Sequence, residues 1–300
     1  MHAHVEIVRD RDVLARHFRR APALHAYALG DLDPFFWPHT SWLADSAAAP
    51  KAIVLNYAPP GSPPSIHALT DRESAAAHIQ RFAPLLAALV PELPDCFEMH
   101  LSPAVFALLE THALLTPLRE RWRIARQEEH AKLQLPASVS DEQLAGIAID
   151  DDPESSIQIQ ALTAQALRAH APQELSAFYD RVYPGHWFDP RMLGTEMYLA
   201  AHEKTREGDL LCAAAGVHVF SREYAVAALG NIAVAPTHRR QGLARQLTAR
   251  LCERLRRAGV NNITLNVRGD NTAAIDLYRS IGVVHIAKYV ELAFEPAAPV

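Results

Sequence analysis

The stretch Arg239-Arg240-Gln241-Gly242-Leu243-Ala244 decides the fold, together with what lies on either side of it. The apolar run Ala225 to Val234 before it reads as a strand, and Ala235-Pro236 as the turn that ends it. Leu243 to Ala258 reads as a helix, closed by Gly259. A glycine-bearing loop between a strand and a helix N-terminus is an anion site. The first N–H groups of the helix have no intrahelical partner, and its dipole adds partial positive charge there. Gly242 lets the backbone approach a ligand that a side chain would hold off. Arg239 and Arg240 add charge at the mouth, so the implied guest is a phosphate or pyrophosphate. The loop has neither the Gly-Lys-Ser/Thr ending of a nucleoside-triphosphate loop nor the Gly-x-Gly-x-x-Gly of a dinucleotide fold.

Downstream, Asn262 to Val267 reads as a strand, and Asp270-Asn271 as the cap of a helix from Thr272 to Ser280. Gly282 follows as a C-cap candidate. Val283 to Phe294 is again strand-like, with Val290, Leu292 and Phe294 alternating. Arg239, Gly242 and Ala244 match the pattern Arg/Gln-x-x-Gly-x-Gly/Ala. Asn271, Ala274, Tyr278 and Gly282 match Asn-x-x-Ala-x-x-x-Tyr-x-x-x-Gly. In this order, and with Leu229-Gly230-Asn231-Ile232-Ala233-Val234 leading into the loop, they resemble the two signatures of the GNAT superfamily of acyl-CoA N-acyltransferases. The resemblance implies an α/β fold with a mixed sheet, and acetyl-CoA or another acyl-CoA as co-substrate. It implies CoA contacts along Ile232, Ala233 and Val234, then Arg239, Arg240, Gln241, Gly242, Leu243 and Ala244. Asn271 would be a further polar contact, although capping its helix explains it equally well.

The chemistry so implied moves an acyl group from a thioester to an amine, with no metal and no covalent enzyme intermediate. Holding donor and acceptor together supplies most of the advantage. A backbone N–H at Val234 would stabilise the developing oxyanion. Tyr278 is the candidate general acid, since a phenol with pKa of about 10 can protonate a departing thiolate whose acid has pKa of about 8.5 at little cost. The alternative is a tyrosine that only packs between helix and sheet. A base for the acceptor ammonium is harder to find: Tyr224 to Val234 carries no carboxylate, and Glu223 stands in a turn at its start. His218, on the preceding strand-like run Gly216 to Phe220, is the candidate. Between the helical runs Glu174 to Val182 and Pro190 to Glu196 lies Tyr183 to Pro190. His186, Trp187 and Phe188 there suit either an acceptor wall or a cap on the core.

The 300 residues allow one large domain or two ordinary ones, and a hydrophobic content of 49% is ample for a core. A net charge of −5 argues against a general nucleic-acid binder. Cys96, Cys212 and Cys252 form no C-x-x-C, so neither a disulfide framework nor a zinc site is read. The sixteen histidines are scattered without His-x-x-x-His or Glu-x-x-His spacing, and no metal is expected. With neither an apolar signal region at the N-terminus nor an 18-residue apolar span, a soluble cytoplasmic protein is expected, with no membrane partner.

The motifs occupy the last third of the chain. A domain of the implied kind would start near Ile157, where Ile157 to Ala161 alternates as a strand. The expected division is therefore 1–135, a linker at 136–154, and 155–300. Pro136 to Asp141 and Asp150 to Pro153 supply the turn-prone residues of that linker. The first half repeats the order of elements: Leu69 precedes Met99 by 30 positions, and Val234 precedes Leu265 by 31. Where the second half has its glycine loop, the first has Thr70-Asp71-Arg72-Glu73-Ser74, with carboxylates and no glycine. The expectation is two tandem GNAT-like halves, the first degenerate and unable to bind CoA; an unrelated α/β domain is the alternative. The acceptor is a small-molecule or protein amine, and the oligomeric state is not readable. The rival to an enzyme is a non-catalytic acyl-CoA sensor.

Overall fold

Alternation along the strands decides which side chains turn inward, and it builds two units. The computed structural model describes residues 5–72, 74–111, 115–147, 155–163 and 171–297. One unit gathers the residues up to Lys132, Val267–Asp270, and those from Ile286 onward; the other gathers Leu133–Asn266 and Asn271–His285. Among the described residues no helix is long and apolar enough to cross a membrane.

The first unit contains β1 (Glu6–Ile7), β2 (Thr40–Ala44), β3 (Ile53–Tyr57), β4 (Ser65–Ala68), β5 (Phe97–Leu101), most of β6 (Trp122–Leu135) and most of β12 (Val284–Pro296). Their order is β1-β2-β3-β4-β5-β12-β6. β4 and β5 run parallel, while β1 to β4 are joined antiparallel. Helices Phe82–Leu89 and Pro103–Thr111 supply Phe82, Leu85, Leu86, Val105, Leu108 and Leu109 to one face of the sheet. From the strands, Ile66, Phe97, Met99, Leu101, Leu292 and Phe294 meet them. Between β4 and β5 the helical segment is in two pieces, Ala76–Ile79 and Phe82–Leu89.

The last strand belongs to this core. Val290 to Phe294 pair antiparallel with Leu101 to Phe97, and the rings of Phe97 and Phe294 stack at 4.5 Å. The sequence reading placed this strand in the second half because it follows that half's motifs.

The second unit holds β7 (Ile157–Ala161), β8 (Leu199–Thr205), β9 (Gly208–Ser221), β10 (Val226–Val234) and most of β11 (Asn262–Arg268), in the order β7-β8-β9-β10-β11. β7 to β10 are joined antiparallel and β10 and β11 run parallel, linked by the helix Leu243–Arg257. Each unit thus has a parallel pair, β4–β5 or β10–β11, beside antiparallel neighbours.

The segment read as a linker is partly built. Residues 141–147 form a helix whose start is a reciprocal capping box. Gln143 N–H donates to Ser140 Oγ at 3.2 Å, and Ser140 N–H donates to Gln143 Oε1 at 2.7 Å. Leu144 is fully buried. Arg256 donates to Val139 O, to Pro136 O at 3.0 Å and to Asp141 Oδ1 at 3.0 Å. Polar residues that resemble a linker in sequence are here the cap of a docked helix. Asp150 to Pro153 lie outside the described residues.

Leu292 is fully buried among Met99, Leu101 and the helices of the first unit. Leu292→Ala is expected to lower stability by about 2–5 kcal/mol, read by urea unfolding of the intact chain. A loss below about 1 kcal/mol would remove the last strand from that core.

Candidate functional site

The site is organised by a break in β10. Asn231 has φ 53°, the left-handed region that asparagine tolerates better than most residues. Pairing with β9 runs Gly230↔Gly216 and resumes at Ala233↔Ala214, so two residues of β10 stand against one of β9. This is a β-bulge, and it turns the strand. Its neighbours hold Asn231 from both sides. Tyr179 Oη, from the helix Ala171–Val182, donates to Asn231 O at 2.9 Å. Asn231 Nδ2 donates to Tyr198 Oη at 3.2 Å, which donates in turn to Val217 O at 2.8 Å. Burial raises the pKa of both phenols, so both stay donors.

Beyond the bulge the register orients Val234. Ala235 N–H donates to Cys212 O at 2.8 Å, and hydrogen-bonded and non-hydrogen-bonded pairs alternate along an antiparallel ladder. Val234, opposite Ala213, therefore sits in a non-hydrogen-bonded pair and turns its N–H and C=O away from β9. On that side β10 and β11 pair only from Val226↔Asn262 to Leu229↔Leu265, while β10 runs on to Val234. The parallel strands stop pairing where the bulge begins, and the polar backbone of Val234 faces the opening. Its carbonyl accepts from Arg239 Nε at 3.3 Å.

The loop follows directly. Arg240 (φ 64°) and Gly242 (φ 81°) are both left-handed. Gly242 is the N-cap of the helix Leu243–Arg257 and makes no capping hydrogen bond through a side chain. The first-turn N–H groups are therefore not taken up by a cap. A Cβ on Gly242 would meet only Gln246 Nε2, at 3.8 Å. The space in front of the glycine is open, as an approaching anion needs. Arg239, Arg240 and Gln241 are exposed around it, and Leu243 and Ala244 open the helix.

Tyr278, on the helix Thr272–Ser280, is buried, and desolvation raises its pKa so that it is a phenol at neutral pH. Its titratable neighbours are Tyr183 and Cys252. Asn271 Oδ1 accepts from Ala274 N–H at 3.2 Å, so this residue does cap its helix. Burial pushes the Cys212 and Cys252 thiols up, to about 11 and about 12, which leaves them unreactive.

The connection 183–190 gathers on the same framework. His186 packs on Tyr179 at 5.3 Å, and its Nδ1–H donates to Tyr183 O at 3.1 Å. Phe188 lies against Tyr179 and Tyr198. Trp187 meets the ring of His218 edge-on at 5.6 Å. Asp189 caps the 3₁₀ turn Pro190–Thr195, which replaces the helix expected there. His218 fills the space that Gly230 leaves: a Cβ on Gly230 would stand 2.2 Å from its ring. Burial lowers its pKa to about 4, partly opposed by the Asn231 side chain. The imidazole is neutral at pH 7 and a weak base. Sequence reasoning missed Tyr179, Tyr198 and the role of Asn231. The available signal was one asparagine in an otherwise apolar strand.

Residues 160–283 match the family model described as the acetyltransferase (GNAT) family. The ribosomal protein bS18-alanine N-acetyltransferase of Salmonella typhimurium is 35% identical over 102 residues, 34% of this chain and 67% of the relative. The enzyme of that name from Escherichia coli K12 is 50% identical over 56 residues, 19% of this chain, so the match spans 38% of its length. Among solved structures, a Drosophila protein superposes with a TM-score of 0.66 at 12% identity, covering 96% of this chain and 98% of that one. A tandem GNAT protein from the clavulanic acid biosynthesis pathway gives 0.54 at 16% identity, covering 99% and 100%. At these identities the structural likeness is one of fold.

The buried neutral His218 carries a pH signature. Its folded pKa of about 4 lies below the ordinary 6.5, so the unfolded chain binds the proton first as the pH falls. The stability it contributes is complete above about 6.5 and is lost as the pH drops toward about 4. Replacing it by a residue that cannot titrate, His218→Gln, is expected to flatten the dependence of stability on pH between about 7 and about 5, measured by denaturant unfolding. An unchanged slope would mean that His218 titrates normally.

Proposed function

The chain belongs to the GNAT acetyltransferase family, and from that premise we propose that its second unit transfers an acetyl group from acetyl-CoA to a primary amine. The observation that carries this reading is the opening between β10 and β11. There the backbone of Val234 faces away from β9, next to a glycine-capped helix N-terminus. The pyrophosphate of CoA would sit on the N–H groups from Gln241 to Ala244, with Arg239 and Arg240 beside it. The pantetheine arm would run along Ile232 to Val234. The Val234 N–H would stabilise the oxyanion as the amine nitrogen attacks the thioester carbon. The C–S bond then breaks, and the Tyr278 phenol gives its proton to the leaving thiolate. Asn231, Tyr179 and Tyr198 set the angle of the strand that presents Val234.

The amine must arrive unprotonated or lose its proton to water, because β10 carries no carboxylate and His218 is weakly basic. The acceptor is read as an α-amine at a protein N-terminus. The relatives from Salmonella and Escherichia coli carry the name of alanine N-acetyltransferases of a ribosomal protein, and an α-amine, with pKa of about 7.7–8.0, is partly neutral at pH 7 without a strong base. His186, Trp187 and His218 would line the acceptor side.

The first unit is read as a degenerate copy. After β4 its turn is closed by its own bonds: Thr70 Oγ1 accepts from Arg72 N–H at 3.1 Å and pairs with His78 Nε2 at 2.8 Å. Thr70 N–H donates to Ser102 Oγ at 3.0 Å. The N–H groups of Thr70 and Arg72 are thus taken up within the unit, and Asp71 adds the wrong charge for a phosphate. The absence of a carboxylate on β10 also favours a second reading, an acyl-CoA sensor without turnover.

A free-thiol assay with acetyl-CoA and a peptide beginning with alanine separates the two. Release of CoA is expected, falling about 10²-fold in Tyr278→Phe with unchanged affinity for acetyl-CoA. Equal turnover would reduce Tyr278 to packing, and no release with any amine would leave the sensor. Gly242→Glu places bulk and charge in the anion site and is expected to abolish CoA protection against thermal unfolding. Retained protection would remove the loop from the site.

A further inference from the structure

Across β5 and β12 the face of the first unit's sheet opposite the apolar core carries charged side chains. Phe97, Met99 and Leu101 fill the core from β5, and Leu292 and Phe294 from β12. Alternation therefore puts Glu98, His100 and Glu291 on the other face. The register sets Glu291 directly opposite His100, so sheet geometry brings the groups together. His100 Nε2 stands 3.5 Å from Glu291 Oε2 and 4.0 Å from Glu98 Oε2. These separations are long for hydrogen bonds. The shorter lies near the roughly 3.3 Å that separates two ligands around a tetrahedral ion with bonds of about 2.0 Å, and the longer would close by a small side-chain shift. His100 Nε2 is buried without a hydrogen-bond partner, an arrangement that costs free energy unless something satisfies it.

Arg126 orients the carboxylates. It bonds Glu98 Oε1 and Glu291 Oε1, each at 2.8 Å, which leaves the Oε2 atoms to His100. Across Glu291, His130 Nε2 lies 3.8 Å from the same Oε2. With Glu128 it forms a second, overlapping set of candidate ligands. Three carboxylates thus surround one guanidinium at the centre. Arg268 reaches Glu128 from the rim, at 3.2 Å, but also pairs with Asp270. Behind His100 stand His67, edge-on at 4.5 Å, and Lys132, whose ammonium lies over the Tyr27 ring.

We propose that Glu98, His100 and Glu291 bind a divalent first-row transition-metal ion, with water completing its coordination. One imidazole nitrogen and two carboxylate oxygens suit zinc, cobalt or manganese. The ligands come from β5 and from the last strand of the chain, so the ion fastens β12 into the first unit. The sequence showed no metal spacing because Glu291 lies far along the chain from its partners.

The test uses the full chain stripped with a chelator, titrated with Zn²⁺ by calorimetry and with Co²⁺ by visible absorption. One ion per chain, Co²⁺ d–d bands and a raised melting temperature are expected. His100→Gln and Glu98→Gln should each weaken binding about tenfold or more, and exposed His285→Gln should leave it unchanged. Glu98 is at the rim, so its variant keeps the test valid if His100→Gln folds poorly. No uptake by the wild type would overturn the proposal. So would uptake that survives both variants, which would mean binding at scattered histidines.

Discussion

Asn231 holds a left-handed backbone in the middle of a strand, and the geometry of the proposed acyl-CoA site follows from it. For most residues that conformation costs roughly 1–2 kcal/mol. Here it is offset by a buried network: the Tyr179 phenol on the Asn231 carbonyl and the Tyr198 oxygen under the amide. The network converts a continuous ladder into a bulged one. From the bulge onward β10 stays with β9 and pairing with β11 ends. One backbone anomaly therefore opens a slot between two parallel strands and aims the Val234 N–H into it. The same elements carry the walls, since Tyr179 and Tyr198 are the surfaces on which His186 and Phe188 pack.

The loop and the slot depend on each other. Gly242 is left-handed with open space before it, at the end of the loop that joins β10 to the helix Leu243–Arg257. The Arg239 guanidinium on Val234 O joins the strand end to the loop. In the first unit the corresponding parallel pair exists, but its turn is tied shut through Thr70, His78 and Ser102. Two similar arrangements of strands thus differ in the bonding of the turn that follows the first strand of the parallel pair.

What the sequence disclosed follows from the range of each signal. Local punctuation was legible: Gly242, Gly259 and Gly282 all have positive φ, and Asn271 caps its helix. Strands and helices between Ala225 and Phe294 fall within a few residues of where apolar periodicity placed them. Long-range pairing was not legible. Nothing in Val290 to Phe294 says that its partner is β5. Likewise, Ser140 and Gln143 look like linker residues until each is seen to cap the other. The bulge was hidden for a related reason, because an asparagine's φ depends on the tyrosines around it and these are remote in sequence. The meeting of Trp187 with His218 could not be read from either segment alone.

The central claim is that the second unit alone provides a CoA site, formed by the bulged strand and the glycine loop. A calorimetric titration of acetyl-CoA into the intact chain tests it most directly. Micromolar binding at one site per chain is the predicted result. Two sites would contradict the closed turn after β4, and no binding would contradict the slot beside Val234.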